Sequence, residues 1–230
     1  MDTIEALIGK KNMEYITHVL IGNGGLGDFI DDLIDLIRSV IDRKTMHIII
    51  LGSKGAGKTT LWNKLQNKII NKDPLPTDKE LIESFIIDNG GKKVTISSTK
   101  DFGGDDLWVK HYDEIIKDNG TFIFYLVDLL TLHEQGKKDE IRARLRKISE
   151  IIKAKNLKDC GCKILATNYK LYKDNGLESK YGTAKSCVVK VLQLHTMNRL
   201  SMKISEAVTP VELMDDKYIE DIKKQIMQIK

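Results

Sequence analysis

The feature that most constrains this chain is a glycine-rich loop that directly follows a short apolar run. Residues 46–51, Met-His-Ile-Ile-Ile-Leu, are typical of a strand that is buried on both faces of a sheet. The next eight residues match the pattern G-x-x-x-x-G-K-[ST]; they are Gly52, Ser53, Lys54, Gly55, Ala56, Gly57, Lys58 and Thr59. The glycines let backbone N–H groups turn inward around phosphate oxygens. The strand and loop together therefore predict a phosphate-binding α/β domain.

Two side chains of this loop carry the chemistry that the pattern requires. We expect the Lys58 ammonium to reach the β- and γ-phosphates and the Thr59 hydroxyl to coordinate Mg²⁺. A helix predicted around residues 59–71 begins there and directs the positive end of its dipole at the same anion. Thr60, in its first turn, is also predicted to contact the nucleotide. The loop alone does not separate GTPases, ATPases and kinases.

The rest of the chain alternates between strand and helix patterns. Strands are predicted over residues 81–88, 92–99, 122–128, 163–167 and 188–194, and helices over residues 137–155 and from about 210 to 229. Asn89-Gly90-Gly91 is a good hairpin turn between the first two strands. Thr209-Pro210-Val211-Glu212 has the form of a capping box that opens the last helix. This alternation predicts a three-layer α/β fold with a mostly parallel sheet and one antiparallel strand.

The first 45 residues differ from the remainder. They carry 5 basic and 8 acidic side chains, and residues 3–20 and 28–43 have the spacing of two amphipathic helices. The sequence therefore predicts an N-terminal helical extension over residues 1–45 and a phosphate-loop domain over residues 46–230.

Charge is distributed unevenly along the chain. The total of +4 is too mild to indicate a nucleic acid partner, so none is expected. Residues 136–203, however, carry 17 basic and 6 acidic side chains. Arg142, Arg144 and Arg146 belong to this stretch and are predicted to lie on a solvated helix face. Such a face is suited to an acidic partner. One candidate is the Asp-rich face of residues 28–42, in the same chain or in a second copy.

Cysteine usage and terminal patterns bear on the compartment. Cys160, Cys162 and Cys187 have no framework spacing, so reduced thiols are favoured over disulfides, and a zinc site at the C-x-C pair is a weak alternative. The acidic N-terminus has no secretory pattern, and no apolar window has the length of a membrane span. We expect a cytoplasmic location.

Beyond the phosphate loop, the sequence resembles the Arf-like branch of the small GTPases. The residues that carry the resemblance begin with Gly57-Lys58-Thr59-Thr60-Leu61. Thr77 follows Thr59 by 18 residues, as the family's first-switch threonine does. Asp101-Phe102-Gly103-Gly104 is similar to the D-x-G-G motif, and Leu107-Trp108 with Tyr112 is similar to the family's second switch.

The resemblance implies roles for three of these residues. The Thr77 hydroxyl would bind Mg²⁺ and its N–H the γ-phosphate, and Asp101 would hold Mg²⁺ through a water. The Gly104 N–H would sense the γ-phosphate. Taken singly, Thr77 also fits a helix N-cap and Asp101 a turn residue. Their order behind a phosphate loop favours the functional interpretation.

One departure from the family concerns hydrolysis. The family places a Gln after D-x-G-G to orient the attacking water, whereas this chain has Asp105. A carboxylate accepts a hydrogen bond from water, but its charge would lie beside the γ-phosphate, so slow hydrolysis is expected. Lys58, Thr77 and Asp105 are the predicted catalytic residues.

The other departures concern the base. In the family's N-K-x-D motif the Asp accepts two hydrogen bonds from guanine. Here Asn168 fits, Tyr169 replaces the Lys, and Leu171 stands in place of the Asp. Tyr169 or Lys170 is predicted to stack on a base, and Asp174 comes three residues too late. The S-A-K-like loop would fall at His195-Thr196-Met197, which lacks that motif. Guanine and adenine both remain open.

The leading hypothesis is a GTP-binding switch that uses Mg²⁺ and GTP or GDP and hydrolyses GTP slowly. The alternatives are a non-catalytic pseudo-GTPase scaffold and a phosphotransferase that uses ATP. Expected partners are a protein effector or a second copy of the chain, bound through the N-terminal helices and the switch regions. Peripheral membrane contact is disfavoured, because the polar face of residues 28–43 is mostly Asp and anionic lipid would repel it.

Overall fold

A computed structural model describes residues 44–70, 79–89, 92–104, 106–117, 120–157, 160–193 and 207–229. Thr45–Lys230 is a compact unit. The predictions made for residues 1–43, Thr77, Asp105 and His195-Thr196-Met197 lie outside the described residues.

A six-stranded sheet forms the centre of this unit. The strands of the described residues are β1 (Lys44–Gly52), β2 (Lys79–Ile82), β3 (Phe85–Asn89), β4 (Lys92–Ile96), β5 (Thr99–Phe102), β6 (Thr121–Asp128), β7 (Gly161–Thr167) and β8 (Val208–Pro210). The order in the six-stranded sheet is β3-β4-β1-β6-β7-β8. β1, β6, β7 and β8 are parallel neighbours, and β3 runs antiparallel to β4. This architecture confirms the predicted fold class.

Helices cover both faces of the sheet. They are α1 (Lys58–Leu65), α2 (Tyr112–Ile115), α3 (Lys137–Ala154), α4 (Tyr169–Asp174), α5 (Leu177–Tyr181), α6 (Ala184–Leu192) and α7 (Asp216–Gln228), with a 3₁₀ helix at Asp106–His111. Among the helices that the structure describes, none is long and apolar enough to cross a bilayer.

The central strands are buried on both sides, as their continuous apolar sequences predict. Alternate side chains of β1 enter two different cores. Ile49 and Leu51 pack with α3 and α6 on one face, whereas Ile48 and Ile50 pack with α1 and α7 on the other. The three layers therefore follow directly from the period-two alternation of a strand.

The predicted hairpin is present, but each of its strands is divided in two. β3 and β4 form the edge of the main sheet, whereas β2 and β5 pair antiparallel in a separate two-stranded sheet. The division in the second run occurs at Ser97, whose N–H and hydroxyl both donate to the Met46 carbonyl of β1, at 2.9 and 3.2 Å. β5 extends beyond the predicted end at Thr99 and contains Asp101.

The strand predicted over residues 188–194 is wrong, because α6 spans Ala184–Leu192. Its N-cap is Thr183, whose hydroxyl oxygen accepts a hydrogen bond from the Ser186 N–H at 3.3 Å. A short apolar run with several valines does not distinguish a strand from a buried helix, and here the cap and the burial of one face favour the helix.

The capping box predicted at residues 209–212 is also wrong. Thr209 and Pro210 belong to β8, and α7 begins at Asp216, where the Asp215 carboxylate accepts from the Lys217 N–H at 3.0 Å. Proline is tolerated in β8 because this strand lies at the edge of the sheet.

Candidate functional site

The glycine-rich loop connects β1 to α1 and lies at the carboxyl end of the sheet. Gly57 has a φ of 95°, a left-handed conformation that favours glycine, and is the N-cap of α1. A Cβ on Gly52 would lie 2.6 Å from the Leu126 carbonyl oxygen of β6. Both glycines are therefore required by geometry, and the loop fits closely over the neighbouring strand.

Lys58 is the first residue of α1, and its ammonium group turns back into the loop. Its Nζ donates to the Ser53 carbonyl at 3.0 Å, and only 7% of the residue is exposed. A buried ammonium inside a ring of backbone groups is an electrostatic site for an anion.

Thr59 and Asp101 meet beside this loop. The Thr59 hydroxyl donates to Asp101 Oδ2 at 2.8 Å, although the two residues are 42 positions apart in sequence. Asp101 is 1% exposed and reaches the loop from β5. A hydroxyl and a carboxylate are hard oxygen donors of the kind that Mg²⁺ prefers, so the residues present suit this ion.

Gly104 packs directly against the phosphate loop. A Cβ at this position would lie 2.0 Å from the Lys54 backbone nitrogen and 2.3 Å from the Ser53 carbonyl carbon. No other residue type fits without a backbone shift. The D-x-G-G segment and the phosphate loop are therefore in direct contact.

Arg144 connects the same two segments and corrects the sequence prediction that it lies on a solvated face. It is 3% exposed. Its Nη1 donates to the Gly52 carbonyl at 3.3 Å and its Nη2 to the Gly104 carbonyl at 2.7 Å, and Glu140 Oε1 lies 2.9 Å from Nη2. The cause is helical phase, because Arg144 lies between Ile141 and Leu145 on the face of α3 that packs on the sheet.

The loop after β7 is tied to the phosphate loop from the other side. The Thr167 hydroxyl donates to the Ala56 carbonyl at 3.2 Å, and Asn168 Nδ2 donates to Asp128 Oδ1 at 2.8 Å. Lys173 Nζ lies 5.5 Å from the centroid of the Tyr169 ring. Leu171 is 48% exposed, and Lys170 is also exposed at the start of α4.

The strand predicted at residues 188–194 was the basis for placing the S-A-K-like loop at residues 195–197, and α6 removes that basis. The last strand in the sheet is β8. The residues that follow it, Val211-Glu212-Leu213, lie beside both Gly57 and α4. A Cβ on Gly57 would meet Leu213 Cδ1 at 2.5 Å. The Tyr169 N–H donates to the Val211 carbonyl at 3.4 Å.

Sequence reasoning therefore missed three residues that border this candidate site, Arg144, Glu212 and Leu213. The signal for Arg144 was its phase within the apolar stripe of α3. Glu212 and Leu213 match no nucleotide-binding motif, and only the position of β8 reveals them.

The cysteines lie apart from this loop. Cys160, Cys162 and Cys187 are all buried free thiols. Burial raises the pKa of Cys160 to about 11 and that of Cys162 to about 12, which disfavours the thiolate that zinc binds. Within the described ranges, no group of three or more His, Cys, Asp or Glu residues is placed to hold a metal ion.

Most of this chain matches the sequence model of a known protein family. Residues 33–226 match the sequence model of the ADP-ribosylation factor family (Arf). A search of curated protein sequences gives no significant match.

Among solved structures, the chain is similar to Roco2 RocCORdC of Methanosarcina barkeri bound to GDP. The TM-score is 0.52 at 12% sequence identity. The match covers 80% of this chain and 48% of the other, so this chain spans about half the length of that protein. At this identity the likeness shows a shared fold alone.

Proposed function

The chain belongs to the ADP-ribosylation factor family, and we propose that it is a GTP-binding switch with slow Mg²⁺-dependent hydrolysis and nucleotide-controlled partner binding. The observation that carries the proposal is the 2.8 Å hydrogen bond from the Thr59 hydroxyl to Asp101 Oδ2. It joins the phosphate loop to the D-x-G-G segment in one site. That juxtaposition is what a protein needs if it is to respond to the γ-phosphate.

The phosphate loop binds the polyphosphate chain through its backbone N–H groups. The Lys58 ammonium, which lies within the loop beside the Ser53 carbonyl, is proposed to donate to the β- and γ-phosphates, which are charged acceptors. The N-terminus of α1 adds its dipole to the same anion.

Thr59 and Asp101 form the Mg²⁺ side of the site, and Thr77 is proposed as a further ligand by resemblance. When bound, Mg²⁺ neutralises charge on the β- and γ-phosphates. Hydrolysis is proposed to use Lys58, Thr77 and Asp105. It is slow because the Asp105 charge opposes that of the γ-phosphate.

The test is equilibrium titration of the purified chain with GDP, GTP and ATP in Mg²⁺, followed by measurement of phosphate release. We expect submicromolar binding of GDP and GTP and a turnover well below that of efficient hydrolases. Lys58→Met should abolish triphosphate binding, whereas Lys68→Met, an exposed lysine just beyond α1, should not. Absence of binding of all three nucleotides by the wild-type chain would rule the proposal out.

A second candidate is a non-catalytic scaffold that holds nucleotide permanently. The presence of Asp105 and the direct packing of Gly104 on Ser53 and Lys54 favour it. Chromatography of the nucleotide released from the denatured protein distinguishes the two, because a scaffold retains stoichiometric, unexchanging nucleotide. The phosphotransferase alternative has less support, since Arg144 donates to two backbone carbonyls inside the fold instead of serving a lid.

Protein effectors are the proposed partners, and the cytoplasm is the proposed location. Two apolar side chains are exposed close to the proposed switch segments, Leu81 in β2 at 63% and Ile86 in β3 at 45%. An effector that covers them would gain hydrophobic burial at a surface whose shape depends on the nucleotide. Self-association through residues 1–45 is the other proposed mode of contact.

A further inference from the structure

We propose that Glu212 recognises the guanine edge in place of the aspartate that this chain lacks, an inference that rests on the proposed function. Leu171 stands at the family's Asp position, and an aliphatic side chain accepts no hydrogen bond. A site that selects guanine needs an acceptor for both the N1–H and the 2-amino group. The question is therefore which other carboxylate the fold brings to the same place.

The position of Glu212 follows from the sheet. β7 and β8 are parallel neighbours with Ala166 opposite Pro210, so the loops that follow them leave the same edge of the sheet. The Thr167 hydroxyl ties this edge to the phosphate loop at Ala56. Ligands of open parallel sheets bind beyond the carboxyl ends of the strands, and Glu212 is the second residue after β8.

Glu212 lies between two contacts that fix its loop. On one side, the next residue, Leu213, packs against Gly57 of the phosphate loop. On the other, Glu212 Oε2 accepts from the Lys170 N–H at 3.3 Å. The Val211 carbonyl accepts from the Tyr169 N–H, which anchors the loop to α4 a second time. The carboxylate is thereby held next to the residues that follow Asn168.

The surroundings are suited to a purine. A hollow of about 200 Å³ lies here, and Tyr169, Lys170 and Glu212 contribute to its lining. The Tyr169 ring offers a face for base stacking, and the carboxylate offers acceptors for the edge of the base. Glu212 is half-buried, so its hydrogen bonds are partly shielded from water.

Two other carboxylates line the same hollow and are less well placed. Asp215 caps α7 by accepting from the Lys217 N–H. Asp174 is the last residue of α4, about 7.5 Å along the helix axis from Tyr169 at 1.5 Å per residue. Glu212 instead contacts the first turn of α4, next to Asn168.

This arrangement predicts an order of affinity for the bases. Guanine donates two hydrogen bonds to a carboxylate, hypoxanthine donates one, and adenine presents its N1 lone pair to the negative charge. We therefore expect GDP to bind about tenfold more tightly than IDP, the effect of one hydrogen bond to a charged group, and ADP to bind most weakly.

The experiment measures dissociation constants of GDP, IDP and ADP in Mg²⁺ for the full chain, Glu212→Gln and Asp174→Asn. Glu212→Gln keeps an oxygen for the Lys170 N–H, so the fold should survive, as a thermal unfolding scan will show. We expect it to lose about tenfold in GDP affinity and to bind GDP and IDP within about threefold of each other. Asp174→Asn should behave as the wild type does.

Two results would overturn the inference while the proposed function stands. One is a Glu212→Gln variant that binds GDP as tightly as the wild type does and keeps the wild-type preference for GDP over IDP. The other is loss of that preference in Asp174→Asn. A wild-type chain that binds none of the three nucleotides would instead contradict the proposed function itself.

Discussion

Arg144 Nη2 donates to the Gly104 carbonyl at 2.7 Å, while Nη1 of the same guanidinium donates to the Gly52 carbonyl at 3.3 Å. One buried side chain thus joins the first residue of the phosphate loop to the last residue of the D-x-G-G motif. Because a guanidinium is planar with a fixed fork of donors, it sets the spacing between two acceptors in a way that an ammonium does not.

Replacement of Arg144 should therefore affect both stability and the response to the γ-phosphate. Arg144→Met leaves two buried carbonyls without this donor and removes one of the two cations paired with Glu140, the other being Lys137. We therefore expect a loss of about 2–4 kcal/mol in the free energy of unfolding. Urea denaturation measures this loss. Binding of GTPγS should weaken more than binding of GDP, because Gly104 is proposed to contact only the triphosphate.

The matched control is Arg146→Met, which removes an exposed arginine from the same helix and should change stability by less than about 0.5 kcal/mol. Arg144→Lys should recover part of the stability but not the preference for GTPγS. Equal losses of GDP and GTPγS affinity in Arg144→Met would mean that Arg144 supports the fold without positioning Gly104.

Gly104→Ala tests the contact from the other side. The added methyl would lie 2.0 Å from the Lys54 nitrogen, within backbone that cannot rotate away. We expect the D-x-G-G segment to move off the phosphate loop and triphosphate binding to fall at least tenfold, a free-energy change of about 1.4 kcal/mol or more. Gly136→Ala is the control, since a Cβ there meets nothing within 4 Å. Its only cost is the backbone strain of an alanine at a φ of 79°. Unchanged GTPγS affinity in Gly104→Ala would contradict the proposed role.

The elements that the sequence predicted correctly share one property. In each, the local pattern of residues is strong enough to distinguish a strand from a helix. The apolar runs at residues 46–51 and 122–128 are rich in β-branched or aromatic residues, which favour strands, and a glycine loop with its own backbone geometry follows the first. The run at residues 188–194 had no such property. Its valines suit a strand or a buried helix equally, and the outcome was decided by the Thr183 cap and by packing on α3.

The wrong strand at residues 188–194 also determined where the sequence predicted the base-binding loop. A strand at residues 188–194 implied that the base-binding loop came directly after it, whereas β8 lies at Val208–Pro210 and is only three residues long. Three residues that include a proline carry almost no strand signal. Only the tertiary structure therefore places Glu212 at the candidate site. The same is true of Arg144, because a charged residue within an apolar helix stripe is expected to be exposed.

The Thr59–Asp101 contact predicts a dependence of nucleotide affinity on Mg²⁺. Both side chains supply oxygens of the kind that the ion prefers. In the wild type, removal of Mg²⁺ with EDTA should weaken GDP binding by tenfold or more, about 1.4 kcal/mol. In Thr59→Val and Asp101→Asn this difference should largely disappear. Thr95→Val, a similar replacement in β4 away from the loop, should keep it. Retention of the full Mg²⁺ effect in both site variants would contradict the assignment.

The buried cysteines predict a decline of stability at alkaline pH. Burial raises the pKa of Cys162 from its ordinary value of 9.0 to about 12 in the folded chain, and that of Cys160 to about 11. Between pH 9 and these values the unfolded chain loses thiol protons that the folded chain keeps. The stabilisation is therefore complete below pH 9 and is lost as the pH rises toward 11 and 12.

The measurement is the free energy of unfolding by urea at pH 8, 9 and 10 under reducing conditions, for the wild type and for Cys162→Ser. Lysines and tyrosines titrate in both proteins, so the difference between the two slopes isolates the thiol. We expect stability to fall more steeply with pH in the wild type, because Cys162→Ser has no proton to lose in this range. A thiol reagent at pH 8 should react slowly with the native chain and rapidly with all three cysteines in urea. Parallel pH profiles for the two proteins, or rapid reaction of the native thiols, would show that these side chains are not held in the core.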